Sequence, residues 1–130
     1  MQFLVGDMNW RIDQSYESAV YLANQNKLAD LRPHDQLLKY KSQKPLINRF
    51  KEGPLLFKPT YKYDEDCDVY DSGKKMRVPS WTDRILYKPD QCLLKYYNRR
   101  EHRFSDHRPV LAIFECEVKN TNKELKAKIQ

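Results

Sequence analysis

Asp7 and Asn9 in Gly6-Asp7-Met8-Asn9-Trp10-Arg11, Asp83 in Pro79-Ser80-Trp81-Thr82-Asp83-Arg84-Ile85-Leu86, and Asp106 with His107 in Ser105-Asp106-His107-Arg108-Pro109-Val110 are residue types suited to phosphoryl chemistry. Each motif adjoins an apolar run, so three strand ends can deliver one phosphate-hydrolysing site. Asp7 can align and deprotonate an attacking water while Asn9 donates to a phosphoryl oxygen. In an extended segment Asp106 and His107 point to opposite sides, so Asp106 is a poor orienter of the neighbouring imidazole. Asp83 is the better candidate, because a His–Asp pair across adjacent strands fixes the tautomer and supports the charged ring. Each motif also has an ordinary reading. Gly-Asp-x-Asn is good turn chemistry, and a histidine at the mouth of a strand is often only hydrogen-bonded. The functional reading rests on the three motifs together.

Lys58, Lys62, Lys74, Lys75 and Arg77, interleaved with Tyr61 and Tyr63, can form a basic wall for phosphate groups that are held and not cleaved. A solvated charged loop is the competing reading. The acidic run Asp64-Glu65-Asp66-Cys67-Asp68 fails as a calcium loop, since Val69 stands where glycine is needed and Lys75 where a glutamate is needed, and it reads as solvated. Other phosphatase chemistries fail on spacing. A cysteine nucleophile needs an arginine six positions on, where this chain has Gly73, Asn98 and Asn122. Asp66-Cys67-Asp68-Val69-Tyr70 lacks both the residue and the preceding strand of an aspartyl-phosphate enzyme, and Gly6, Gly53 and Gly73 cannot make a glycine-rich phosphate loop. Direct attack by metal-activated water remains.

The elements that must position these residues follow from the apolar pattern. Phe3-Leu4-Val5 reads as a buried strand whose end delivers Asp7 and Asn9. Asp13 or Ser15 can cap a helix whose stripe runs through Tyr16, Ala19, Val20, Ala23, Leu28 and Leu31 before Pro33 interrupts it. A second helix is expected around Asp35 to Lys41, and a third from Pro45 through Phe50. From Gly53 the texture changes to strands and loops. Ile85 to Lys88 and Cys92 to Tyr97, separated by Pro89-Asp90-Gln91, read as a hairpin. Val110 to Phe114 reads as a strand covered on both faces, and the following residues alternate. Asn120 to Gln130 reads as a polar basic tail or the start of a linker.

At 130 residues, with 40% hydrophobic and 32% charged residues, the chain has the composition of one globular unit. No apolar stretch approaches the ~20 residues of a spanning helix. Met1 to Val5 lacks the features of a secretory signal, and Cys67, Cys92 and Cys116 are odd in number with no C-x-x-C spacing. A cytoplasmic protein with free, buried or half-buried thiols is expected. The formal charge of +6 favours anionic partners: phosphorylated small molecules, lipid headgroups or nucleic acid.

Taken together, the three acid-bearing motifs and Lys58-Pro59-Thr60-Tyr61-Lys62-Tyr63 resemble the inositol polyphosphate 5-phosphatases, magnesium-dependent members of the superfamily that includes deoxyribonuclease I and the apurinic endonucleases. The resemblance covers nearly the whole chain. It implies an α/β (α+β) fold, half of a four-layer α/β/β/α sandwich of the deoxyribonuclease I-like type, formed by residues 1–119 as the carboxy-terminal half of the catalytic domain. It implies hydrolysis of the 5-phosphate of phosphoinositides or soluble inositol polyphosphates by magnesium-assisted (Mg2+) water attack. By the same resemblance Asp7 and Asn9 position water and the scissile phosphate. His107 with Asp83 stabilises or protonates the phosphoryl group, Asp106 lies by the metal or the attacking water, and Arg11 supports the pocket. Tyr61, Lys62, Lys75 and Arg77 match the family's clamp for a neighbouring 4-phosphate. Thr82 departs mildly, standing where many relatives carry Cys.

The family's domain is about twice this length, and its amino-terminal half supplies an Asn, a metal-binding Glu and another phosphate-binding His. Those motifs are not in this chain, which implies that apolar faces such as Val110 to Phe114 are left without their packing partner and that the chain alone is inactive. The partners implied are an inositol polyphosphate or phosphoinositide headgroup and a peripheral membrane surface, with no nucleic acid. A nucleic-acid phosphodiesterase and a non-catalytic headgroup-binding fragment stay open as alternatives.

Overall fold

Ser15 opens the first helix: its backbone is extended and its hydroxyl accepts from Ser18 N–H, so α1 (Tyr16–Asn24) begins with a satisfied donor. In the computed structural model, which describes residues 1–118, the expected long stripe breaks after Asn24 and resumes as α2 (Leu28–Leu31). Asp35 caps α3 (Gln36–Tyr40) by accepting from Leu38 N–H, and Pro45 starts α4 (Pro45–Asn48), which ends short of Phe50. Ala19, Ala23, Leu28 and Leu31 face inward from this helical layer and pack with Ile12, Leu55, Phe57, Tyr63, Tyr70, Trp81 and Tyr97 in one core.

Two antiparallel sheets complete the mixed architecture. The first holds β1 (Phe3–Asp7), β2 (Lys51–Glu52) and β3 (Asp83–Tyr87) in the order β1-β3-β2; the second pairs β4 (Cys92–Arg99) with β5 (Val110–Cys116). The predicted hairpin between Ile85–Lys88 and Cys92–Tyr97 is therefore not formed. β3 is the central strand of its sheet, and with β1 and β2 on its two edges β4 joins β5 instead. Tyr97 links the sheets by accepting from Ile85 N–H at 3.3 Å and donating to Glu52 at 2.7 Å.

Arg84 ties β3 to the helical layer. Its guanidinium is wholly buried and uses every N–H: toward Glu52 at 2.7 and 2.8 Å, toward Asp35 at 2.8 and 2.9 Å, and toward the Trp81 carbonyl at 3.1 Å. Burial pushes the Asp35 carboxyl up while the Arg84 bonds pull it down, and the paired guanidinium stays charged.

Two strands predicted as covered are not. Phe3, Leu4 and Val5 are 41%, 37% and 63% exposed: β1 is an edge strand whose Phe3 ring packs on Phe114 at 4.9 Å between centroids, while Val5 stays largely open. In β5, Ile113 is 50% exposed and Val110 to Ala112 are half-buried, as expected of a sheet face lacking its packing layer. The stretch 120–130, read as a tail, lies outside the described residues.

Candidate active site

Because β1 and β3 run antiparallel, the last residue of one meets the first of the other: Asp7 is the register partner of Asp83. Gly6 reaches this end with φ 136°, a conformation open to glycine and strained for side chains that carry a Cβ. The chain then turns. Asn9 adopts φ 57°, its N–H donates to Asp7 Oδ1 at 3.0 Å, and Arg11 Nη2 donates to Asn9 Oδ1 at 3.2 Å. Turn chemistry and site geometry coexist, since the turn occupies Oδ1 of Asp7 and leaves Oδ2 facing His107.

The third motif arrives by backbone pairing with the 60–63 segment. Tyr61 bridges to both Ser80 and His107, with Arg108 N–H on the Thr60 carbonyl and Tyr63 N–H on the Asp106 carbonyl. The Tyr61 ring lies 4.6 Å from the imidazole, and the Arg11 guanidinium sits 4.8 Å from the centroid of the same ring, so Tyr61 contacts two other predicted site residues.

Nδ1 of His107 is 2.5 Å from Asp83 Oδ2, which also accepts from the Thr82 hydroxyl at 3.1 Å. This pairing leaves Nε2 outward, 3.9 Å from Asp7 Oδ2 and 3.8 Å from Asp106 Oδ1. Both distances exceed a hydrogen bond, so the nitrogen looks into a gap flanked by two carboxylates. Asp7, Asp83 and His107 each offer a ligand atom within 4.8 Å of the others, whereas Asp106 stands beside this trio. The arrangement can hold or deliver a proton at Nε2 and can place an acidic oxygen on either side of a bound group.

A cavity of about 670 Å³ adjoins the gap, lined by Lys62, Tyr63, Asp64, Asp71, Ser105 and Asp106; a second, of about 240 Å³, is lined by Gly6, Asp83 and His107 among others. Lys62 thus faces the larger space, with Nζ 3.7 Å from Asp71. Lys75 and Arg77 are exposed on a loop that Asp71 anchors by accepting from Gly73 N–H at 2.9 Å and Arg77 N–H at 2.8 Å. The Arg77 N–H bond is the chief cause holding the Asp71 carboxyl below the usual range, with Gly73 and Lys62 adding to it.

Sequence reasoning missed four residues here. Thr82 touches the Asp83–His107 pair, Asp71 shapes the basic loop, and Arg84 and Arg108 hold the two motifs from behind. Arg108 is buried, lies 3.9 Å over the Tyr63 ring and donates to Asp68 at 3.1 Å. With Arg103, it tethers Asp68 of the acidic run, which stays largely exposed as the solvated reading expects. A signal for both arginines was present: each follows a site residue by one position, and strand alternation sends alternate side chains to opposite faces.

Residues 1–113 match Endonuclease/Exonuclease/phosphatase family 2. The chain is 42% identical over 126 residues to type I inositol polyphosphate 5-phosphatase 5 of Arabidopsis thaliana, covering 92% of itself and 24% of that protein. It is 40% identical over 121 residues to inositol-1,4,5-trisphosphate 5-phosphatase 1 of Schizosaccharomyces pombe, covering 93% of itself and 11% of that protein. Among solved structures it resembles the inositol polyphosphate 5-phosphatase domain of SPsynaptojanin, in complex with inositol (1,4)-bisphosphate and a calcium ion, with a TM-score of 0.82 and 38% identity over 98% of this chain and 37% of that one. The chain therefore spans a fraction of its relatives' length, and its fold is a part of the deoxyribonuclease I-like α/β sandwich. Cimex nitrophorin, in a ferrous NO complex, is also similar, with a TM-score of 0.77 and 40% identity over 86% of this chain, so the fold hosts more than one chemistry and the site residues must carry the function. By the match over residues 1–113, the chain belongs to Endonuclease/Exonuclease/phosphatase family 2.

Proposed function

We propose that this chain supplies the carboxy-terminal half of a catalytic domain that removes the 5-phosphate from phosphoinositides, such as phosphatidylinositol 4,5-bisphosphate, or from soluble inositol polyphosphates. The observation that carries the reading is the Asp83–His107 pair, with Nε2 opening between Asp7 and Asp106 beside a cavity that Lys62 lines. Similarity to several proteins named as 5-phosphatases supports it. The superfamily depends on a divalent metal, and we propose magnesium. The donor set fits in part: Asp7 keeps a free carboxylate oxygen, Asp106 offers another nearby, and one or two carboxylates are what a magnesium site takes from protein. When bound, the ion supplies neutralisation of the charge on the phosphoryl oxygens.

The chain's own residues perform the remaining work. Asp7 orients the attacking water, and Asn9, with Arg11 behind it, faces the phosphoryl oxygens. Asp83 fixes the imidazole so that Nε2 of His107 points at the reacting group and holds the charge that develops there. Lys62 and Tyr61, with Lys75 and Arg77 of the Asp71-anchored loop, bind a neighbouring phosphate that is not cleaved. A net charge of +6 favours an anionic headgroup at a cytoplasmic membrane surface.

The test is a completed domain, in which residues 1–118 replace the matching segment of the SPsynaptojanin phosphatase domain. It is expected to release phosphate from inositol 1,4,5-trisphosphate, leaving the 1,4-bisphosphate, and to lose that activity with Asp106→Asn. The 130-residue chain by itself is expected to release none. A completed domain that folds and binds the trisphosphate without turning it over would overturn the catalytic reading in favour of a headgroup-binding module.

A further inference from the structure

Cys92 and Cys116 lie at the open end of the β4–β5 pair and take no part in the candidate active site. They are register partners, and their Sγ atoms are 2.7 Å apart. The backbone shows what kind of pair they form. Glu117 N–H donates to the Gln91 carbonyl at 2.8 Å, so the next pair out, Gln91 with Glu117, is hydrogen-bonded. Antiparallel pairs alternate, which makes Cys92 and Cys116 a non-hydrogen-bonded pair. Such pairs have Cα atoms about 4.5 Å apart, within the about 4.4–6.8 Å that a disulfide bridges.

We propose that Cys92 and Cys116 are a reversible redox-modification site, at which hydrogen peroxide converts the two thiols into a cross-strand disulfide. The two cysteines are not equivalent. Cys92 is 8% exposed and Cys116 is half-buried, and both border a surface cleft lined by Asp90, Gln91, Glu115 and Glu117. Asp90 and Glu117 at this cleft, with Glu115 paired to Lys95 at 3.2 Å, disfavour an anionic oxidant such as a glutathione disulfide and admit a small neutral peroxide. Cys116 is the more accessible of the two and reacts first; the hydrogen bond between them raises the buried Cys92 thiol above its ordinary range. The Cys116 thiolate attacks one peroxide oxygen; an S–O bond forms, the O–O bond breaks, and hydroxide leaves to take up a proton as water. The Cys92 thiolate then attacks the sulfenic sulfur, forming S–S and breaking S–O, with a second water released. Two thiols are oxidised, one peroxide is reduced, and a thiol reductant reverses the bond.

Peroxide treatment of the folded 130-residue chain is expected to lower its mass by about 2 Da, two hydrogens lost. Of the three thiols only Cys67 should remain open to alkylation, the proteolytic peptides bearing Cys92 and Cys116 should be linked, and dithiothreitol should restore the original mass. Cys67→Ser is expected to keep the link; Cys92→Ser and Cys116→Ser each abolish it. Oxidation should raise the urea midpoint, because the bond closes an already paired end. The proposal fails if both thiols stay alkylatable, if Cys67 enters the link, or if Cys116 accumulates as sulfinic acid. It also fails if the urea-unfolded chain forms the same link as readily as the folded one, since strand register would then have no part in the selection.

Discussion

At the scale of single residues, the site turns on which atom of each side chain is already engaged. Asp7 spends Oδ1 on the Asn9 turn and Asp83 spends Oδ2 on His107 and Thr82, so Asp7 Oδ2 and His107 Nε2 are left to face each other across the gap. Asp83→Asn presents an amide of similar shape that no longer fixes the tautomer with charge. In the completed domain it is expected to lower kcat by about 100-fold with little change in KM, the scale on which orienting partners act. Thr82→Cys keeps a weak donor beside Asp83 and is expected to stay within about threefold of the parent rate, because the Asp83–His107 contact survives. Steady-state kinetics separates the two. Equal losses would mean that Thr82, and not the carboxylate, sets the imidazole.

Elements act through two buried charges that hold the motifs in place. Replacing Arg84 by Met leaves Asp35 and Glu52 buried without a counter-charge, and the chain is expected to lose about 3–5 kcal/mol in urea denaturation. Arg84→Lys should recover only part of this, since one ammonium cannot reproduce the planar set of bonds to Asp35, Glu52 and Trp81. Asp71 gives a pH dependence whose sign follows from its lowered folded-state pKa. Its anchoring is fully present above the unfolded value of about 3.9 and is lost as pH falls through the depressed folded value. Amide exchange at Gly73 and Arg77 is expected to stay protected at pH about 4 and to open below that, while Asp71→Asn weakens protection at neutral pH. These elements also mark what could be read from sequence. Asp7, Asp83 and His107 were legible as neighbours because each ends or begins an apolar run, and strand termini on one sheet edge converge. The hairpin was misread because local turn chemistry at Pro89-Asp90-Gln91 says nothing of β3 having both edges occupied by distant strands. Arg84 and Asp35, 49 positions apart, become partners only when β3 packs on α3.

For the whole molecule the governing fact is apolar surface. Val5 and Ile113 are 63% and 50% exposed on strands, and Phe104 is 79% exposed beside the cavities, although each is a residue type that cores bury. The SPsynaptojanin domain has further chain for which these 130 residues hold no counterpart, the chain covering 37% of it. Strand side chains left open in this way cost free energy in proportion to their area, roughly 25 cal/mol per Å². A chain that cannot cover them internally covers them by association. The 130-residue chain is therefore expected to bind a hydrophobic dye and to sediment as more than a monomer at micromolar concentration. Val5→Lys with Ile113→Lys should reduce both signals without lowering the urea midpoint, since neither side chain is buried in the core described. In the completed domain the same pair of lysines should instead destabilise, because the added layer packs against those positions. If the pair were neutral in both proteins, the exposed strands would be true solvent faces, and the missing layer would have to lie elsewhere on the fold.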